Sequence, residues 1–114
     1  MTIRLKRVYA APSPSDGRRI LVDRLWPRGM TRENAGIHFW AKAIAPSDQL
    51  RMWYRHDPEK WDEFRSRYFA ELKKNPDGVA ELIREIGGRT TTFVFSSKEE
   101  VLNNAAALKE FVSR

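Results

Sequence analysis

The chain has 114 residues, 41% of them hydrophobic and 32% charged, with no cysteine and a formal net charge of +6. A chain of this length buries enough surface for one core without disulfide or thiolate-metal staples, which its composition does not offer. It has no apolar run near ~18 residues and no signal-type start, so a transmembrane protein is excluded and the expected compartment is the cytoplasm.

The positive surplus is unevenly placed. Residues 1–57 hold 11 basic and 5 acidic side chains, whereas residues 58–114 hold 10 of each. Arginine supplies 14 of the 21 cations, and its planar fork suits bidentate recognition of phosphate or carboxylate. The charge therefore points to a localised, arginine-rich field and an anionic partner. No internal repeat, low-complexity tract or long linker divides the chain, so residues 1–114 read as a single domain.

From the N-terminus, Ile3 to Tyr9 alternates imperfectly with period two and reads as a strand. Pro12, Pro14, Asp16 and Gly17 make a turn-rich loop. Arg19-Ile20-Leu21-Val22 reads as a buried strand delivering Asp23 and Arg24 at its carboxyl end, and Pro27 and Gly29 forbid regular structure just beyond. Ser47 is the expected cap of a short helix carrying Leu50, Trp53 and Tyr54. Asp57-Pro58 starts a longer helix with Trp61, Phe64, Tyr68 and Leu72 on one face, ending near Asn75-Pro76. Asp77 is expected to cap the next helix, with Val79, Leu82, Ile83 and Ile86 inward and Gly87-Gly88 as its stop. Thr90 to Phe95 reads as a core strand. Ser97 to Glu100 has capping-box spacing and is expected to open a last helix with Val101, Ala105, Leu108 and Val112 on one side. Strands alternating with helices predict a small, helix-rich α/β layered domain, its short parallel or mixed sheet covered by helices.

In such domains ligands bind beyond the carboxyl ends of the strands. Two segments belong there: Asp23 to Gly29, with a carboxylate, Arg24, Arg28 and the indole of Trp26; and Ser96-Ser97-Lys98, at an expected helix start. Asp23 and His56 are the candidate proton carriers, and the neighbours Arg51 and Arg55 favour a neutral His56 imidazole. Trp26 and Trp40 lie outside the helical pattern and offer faces for a ring, with Lys42 adding a cation beside Trp40. Neither His38 nor His56 has a metal-ligand spacing, and nucleotide-binding glycine motifs are missing. No metal or cofactor is expected.

Lys6-Arg7-Val8-Tyr9, then Arg19-Ile20-Leu21-Val22-Asp23-Arg24-Leu25-Trp26-Pro27-Arg28-Gly29, then Trp40-Ala41-Lys42 resemble the YeaO-like proteins of domain-of-unknown-function family 488. The resemblance continues through Ala45-Pro46-Ser47, Leu50-Arg51, Trp53-Tyr54, His56-Asp57-Pro58, Phe64, Tyr68 and Glu71-Leu72, nearly the whole chain. It implies a small cytosolic bacterial or archaeal α/β protein of a family without an assigned activity. Members tend to carry Ala-Lys-Asp and then His-Asn before the last helix, where this chain has Ser97-Lys98-Glu99 and Leu102-Asn103. Lys98 and Asn103 are kept, while an imidazole mechanism at position 102 does not carry over.

Two functional expectations follow. In one, the chain is an enzyme, or its remnant, for a small nucleotide or sugar-phosphate type anion: Arg24, Arg28, Arg51, Lys42, Lys98 and Asn103 surround the ligand, Trp26 or Trp40 stacks on it, and Asp23 or His56 moves protons. In the other, it is a nucleic-acid-binding or interaction module using Arg18, Arg19, Arg28 and Arg32 on phosphates.

Overall fold

Strands β1 (Ile3–Arg7), β2 (Arg18–Leu21), β3 (Phe39–Trp40) and β4 (Thr91–Phe95) pair in parallel throughout, in the spatial order β1-β4-β2-β3. Helices α1 (Arg32–Ala35), α2 (Asp48–Tyr54), α3 (Trp61–Lys73), α4 (Pro76–Ile86) and α5 (Asn104–Val112) complete a helix-rich α/β domain. This computed structural model describes residues 2–114. Among them no helix is long and apolar enough to cross a membrane.

Alternation along the strands divides the core between the two faces of the sheet. Ile3, Ile20, Val22, Phe93 and Phe95 pack with Leu50, Tyr54, Phe64, Tyr68, Leu82 and Leu108 from the helices after β3. Val8, Leu21 and Val94 point the other way and meet Trp26, Met30, Ala35 and Ile37 from the segment between β2 and β3, together with Trp40 of β3. All five residues of β4 are buried, as befits a strand with a neighbour on each side.

The link from β1 to β2 is unusual. It is only residues 8–17, it contains a 3-10 turn (Pro14–Asp16) rather than an α-helix, and it spans the place that β4 fills. Asp16 fastens it. Its carboxylate accepts hydrogen bonds from Lys6 Nζ of β1 at 3.1 Å and from Arg19 Nη1 of β2 at 2.8 Å, while its carbonyl accepts one from Thr92 Oγ1 of β4 at 2.8 Å. One residue is thus bonded to three adjacent strands. Gly17 follows at φ 63°, and a Cβ there would collide with the Thr90 carbonyl.

Several boundaries differ from the sequence reading, each for a physical reason. The cap of α4 is Asn75, not Asp77: Pro76 occupies the first helical position and Asn75 Oδ1 accepts from Gly78 N at 3.1 Å, leaving Asp77 in the first turn. The last helix opens at Asn104, not after Ser97. Ser97 Oγ accepts from Glu99 N, two residues on, rather than from a helical amide, the Glu99 carboxylate takes the amides of Val101 and Leu102, and Asn103 is the cap, accepting from Ala106 N at 2.9 Å. Val101, expected inward, is 70% exposed in this preceding loop, and Ile83 is also exposed. The pair Phe39–Trp40 and the four residues Arg32–Ala35 were not foreseen, because neither is long enough to show a period.

Candidate functional site

The carboxyl ends of β2 and β4 point to the same edge of the sheet, and the C-terminus of α2 closes over it. Between them lies a cleft of about 390 Å³ whose lining includes Asp23, Arg24, Leu25, Arg51, Met52, Arg55, His56, Ser96, Ser97 and Asn104. Pro46, Tyr54 and Phe64 form part of its wall. Of the residues singled out from sequence, Asp23, Arg24, Arg51, His56, Ser96 and Ser97 meet here.

Asp23 holds the edge together. Its Oδ2 accepts from Ser96 N at 2.9 Å and Ser96 Oγ at 2.8 Å, and its Oδ1 accepts from Asn104 Nδ2 at 3.0 Å. Asn104 Nδ2 also donates to the Val22 carbonyl at 3.1 Å, and Trp40 Nε1 donates to the Asp23 carbonyl at 2.7 Å. The carboxylate therefore joins the end of β2 to the end of β4 and the start of α5, with every donor around it supplied by the protein. Arg24 is positioned from one side of its guanidinium, Nε donating to the Pro46 carbonyl and Nη2 to that of Ala45. Nη1 makes no hydrogen bond among the described residues.

The other cations come from the end of α2. Arg51 is exposed and reaches Asp48 at 3.3 Å, a surface contact of little energetic weight. Arg55 caps the helix in the left-handed region at φ 49°, and His56 follows at φ 56°, so two consecutive non-glycine residues occupy conformations that disfavour a Cβ. Replacing Arg55 by glycine is expected to raise stability by about 0.5–1 kcal/mol, the left-handed penalty relieved less the extra chain entropy of glycine. Chemical denaturation checks this, and a loss of stability would contradict it. His56 Nδ1 lies 3.4 Å from Ser97 Oγ, a long contact between exposed groups, and among the described residues no carboxylate is bonded to the imidazole. Tyr54 is no acid-base group near neutrality: burial, with the charges of Glu99 and Asp57, pushes its hydroxyl up to about 12, and it donates to the Leu102 carbonyl at 2.7 Å. Glu99 is held below its ordinary range by the amides of Val101 and Leu102 that it accepts.

The remaining predicted site residues lie elsewhere. Trp26 Nε1 donates to the Met30 carbonyl at 2.7 Å, and its ring meets Trp40 edge-on at 5.4 Å in the second core cluster, so neither indole lines the cleft. Lys42 sits over the Trp40 ring at 5.0 Å. Arg28 is exposed outside the lining, its carbonyl accepting from Tyr9 Oη. Lys98 is also exposed outside it, and because α5 begins six residues later it occupies no helical turn. Asn103 is fully buried as a cap, its Nδ2 donating to the Glu99 carbonyl, and cannot reach a ligand. Arg19, proposed for phosphate contact, is 2% exposed and bonded to Asp16 and the Ala35 carbonyl, while Arg18 pairs with Glu85. Arg55, Met52, Leu25 and Asn104 were missed. Only adjacency to residues already noted singled them out in the sequence, since their convergence requires α2 and α5 to be docked on the sheet. Among the described residues no group of three His, Asp or Glu side chains is placed to hold a metal ion.

Residues 2–114 match the family model described as "Inactive DUF488-N3 subclade". The chain is 40% identical over 111 residues, 97% of its own length and 93% of the other's, to an uncharacterised protein of Mycobacterium tuberculosis strain H37Rv and to one of Mycobacterium bovis. It is 36% identical to the uncharacterised protein YeaO of Escherichia coli K12, over 98% of this chain and 97% of that one. No solved structure matches it significantly. With a match along essentially its whole length, the chain belongs to the YeaO-like DUF488 family.

Proposed function

We propose that the cleft at the carboxyl edge of the sheet binds a small anion and does so without turning it over. One observation carries the first half: Arg24, Arg51 and Arg55 face the cleft against the single carboxylate of Asp23, whose oxygens are already occupied by three protein donors. A cleft with excess guanidinium and low-dielectric walls concentrates anions. The second half rests on the same bonds. Asp23 is engaged in structure, and among the described residues no carboxylate is bonded to His56 to orient it. The word "inactive" in the description of the matching subclade agrees with binding alone.

Titration calorimetry with inorganic phosphate at low salt tests this. Binding is expected in the millimolar range or better, weakened about tenfold or more in the double variant Arg51→Ala/Arg55→Gly, whose altered side chains are exposed and leave the core untouched. p-Nitrophenyl phosphate should remain intact. Its hydrolysis, lost in His56→Ala, would favour the enzyme reading. Binding as a nucleic-acid module has less support, since Arg18 and Arg19 are spent on Glu85 and Asp16, leaving Arg28 and Arg32 as the exposed pair from that set.

A further inference from the structure

The same cleft has lips of a different chemistry. Leu25 is 57% exposed and Met52 59% exposed, and both line it. Among the described residues only Val101 of the other large hydrophobic side chains is as exposed, at 70%, while Tyr9 and Ile83 are less so, at 41% and 43%. Leu25 is held out in solvent because Asp23 and Arg24 on one side and Pro27 on the other fix the backbone after β2. Met52 projects from α2 between Arg51 and Arg55, and Arg55 Nε donates to its carbonyl. Two apolar side chains are thus presented to water beside three guanidiniums, with buried Pro46 behind them. The cavity volume of about 390 Å³ falls within the roughly 300–1,000 Å³ of small-molecule sites. A bare tetrahedral oxyanion would leave most of that volume filled by water and both lips uncovered.

From this we infer that the ligand is an amphiphilic organic anion: a phosphate or carboxylate head held by Arg24, Arg51 and Arg55, on an apolar body about the size of one ring that covers Leu25 and Met52. The inference rests on the anion-binding reading above and adds the identity of the other half of the ligand. Met52 suits such a body, because its unbranched thioether adapts to a ring edge. Burial of one ring face supplies enough apolar contact to raise affinity about tenfold or more over the head group alone.

Calorimetric titrations of the intact protein with phenyl phosphate, benzoate and inorganic phosphate decide the matter. Phenyl phosphate should bind about tenfold more tightly than inorganic phosphate. Leu25→Ala and Met52→Ala should each lower phenyl phosphate affinity about three- to tenfold and leave that of inorganic phosphate unchanged. Because both side chains are mostly in solvent, the variants retain the fold, verifiable by unchanged thermal melting. Benzoate binding that is likewise sensitive to Leu25→Ala assigns the head-group site to carboxylates as well as phosphates. Equal affinity for phenyl and inorganic phosphate, or lip variants without effect, overturns the amphiphilic ligand and leaves the anion site standing. Failure of all three probes at millimolar concentration removes both. Concentration-dependent self-association abolished by Leu25→Ala would show instead that a second copy of the chain covers the lips.

Discussion

Replacing Asp16 by alanine is expected to destabilise the protein by about 3–5 kcal/mol, the range for removing one partner of a buried ion pair. Arg19 stays behind at 2% exposure, with the Ala35 carbonyl as its one remaining partner and a second guanidinium nitrogen, Nη2, already unpaired. Lys6 and the amide of Ser13 lose their acceptor as well, although Lys6 keeps the Ala11 carbonyl. Against a total stability of about 5–15 kcal/mol, this is a large fraction. Urea denaturation at neutral pH measures it, and a change below about 0.5 kcal/mol would remove Asp16 from its place as the fastening of the β1–β2 link.

The same carboxylate gives the protein an acid sensitivity of known sign. Burial alone would raise its pKa, but hydrogen bonds from Lys6, Arg19 and the Ser13 amide outweigh burial and hold it below the ordinary 3.8. The folded value lies below the unfolded one, so the contribution is fully present above pH 3.8 and fades as the pH falls through the folded value. Between pH 5 and about pH 2 the wild type should lose more stability than Asp16→Ala, which has no such carboxylate to protonate. Parallel losses in the two proteins would assign the acid sensitivity to other carboxylates.

The second large effect is expected at Asp23. Alanine there removes the acceptor for Ser96 N, Ser96 Oγ and Asn104 Nδ2 together, at a cost of about 2–4 kcal/mol, moderated because the group is only half-buried and water can reach some of the freed donors. Asparagine should recover about half of this, not all. It can accept from Ser96 with one oxygen, but its amide would then face the Asn104 amide. Asn104 cannot turn over to compensate, because its Nδ2 also donates to the Val22 carbonyl. The ordering wild type, asparagine, alanine in thermal melting is the expected result. Asparagine as stable as wild type would mean that the charge and second oxygen of Asp23 are not needed to join the three elements. Since the lip of the cleft is carried on this junction, the alanine variant should also weaken phosphate binding without Asp23 touching the ligand.

How far the sequence speaks differs between elements. The cap of α2 was legible because Ser47 acts within three residues of itself, whereas Asp57-Pro58, expected to start α3, starts a 3-10 turn (Pro58–Lys60) and α3 opens after it at Trp61. The buried runs of β2 and β4 were legible from branched and aromatic residues in succession. Competition between equally good local signals was not: Ser97 and Asn103 both have capping chemistry, and Asn103 wins because it is buried against the rest of the fold. At the site, Asp23, Arg24, Arg51 and His56 were found from their place beyond a strand end or beside one another. Trp26 and Trp40 were drawn in by side-chain chemistry, and Asn103 by the family resemblance, but the fold spends all three on its own interior. Arg19 misled for the same reason, since a guanidinium destined for a buried carboxylate looks in sequence like one destined for phosphate.

The placement of β4 has a bearing on how the chain comes to be folded. It is the last strand in sequence but occupies the slot between the first two, so Ile3 pairs with Thr91 and Arg18 pairs with the same residue from the other side. During synthesis β1 and β2 emerge with an open gap between them; β2 can already pair with β3, but β1 joins the sheet only once residues 91–95 of β4 are available to fill the gap. Long-range parallel pairing of this kind is intrinsically slow and leaves strand edges exposed in the interval. The Asp16 fastening, made entirely within the first nineteen residues by Lys6, Asp16 and Arg19, is available from the start to hold that gap at the width of one strand.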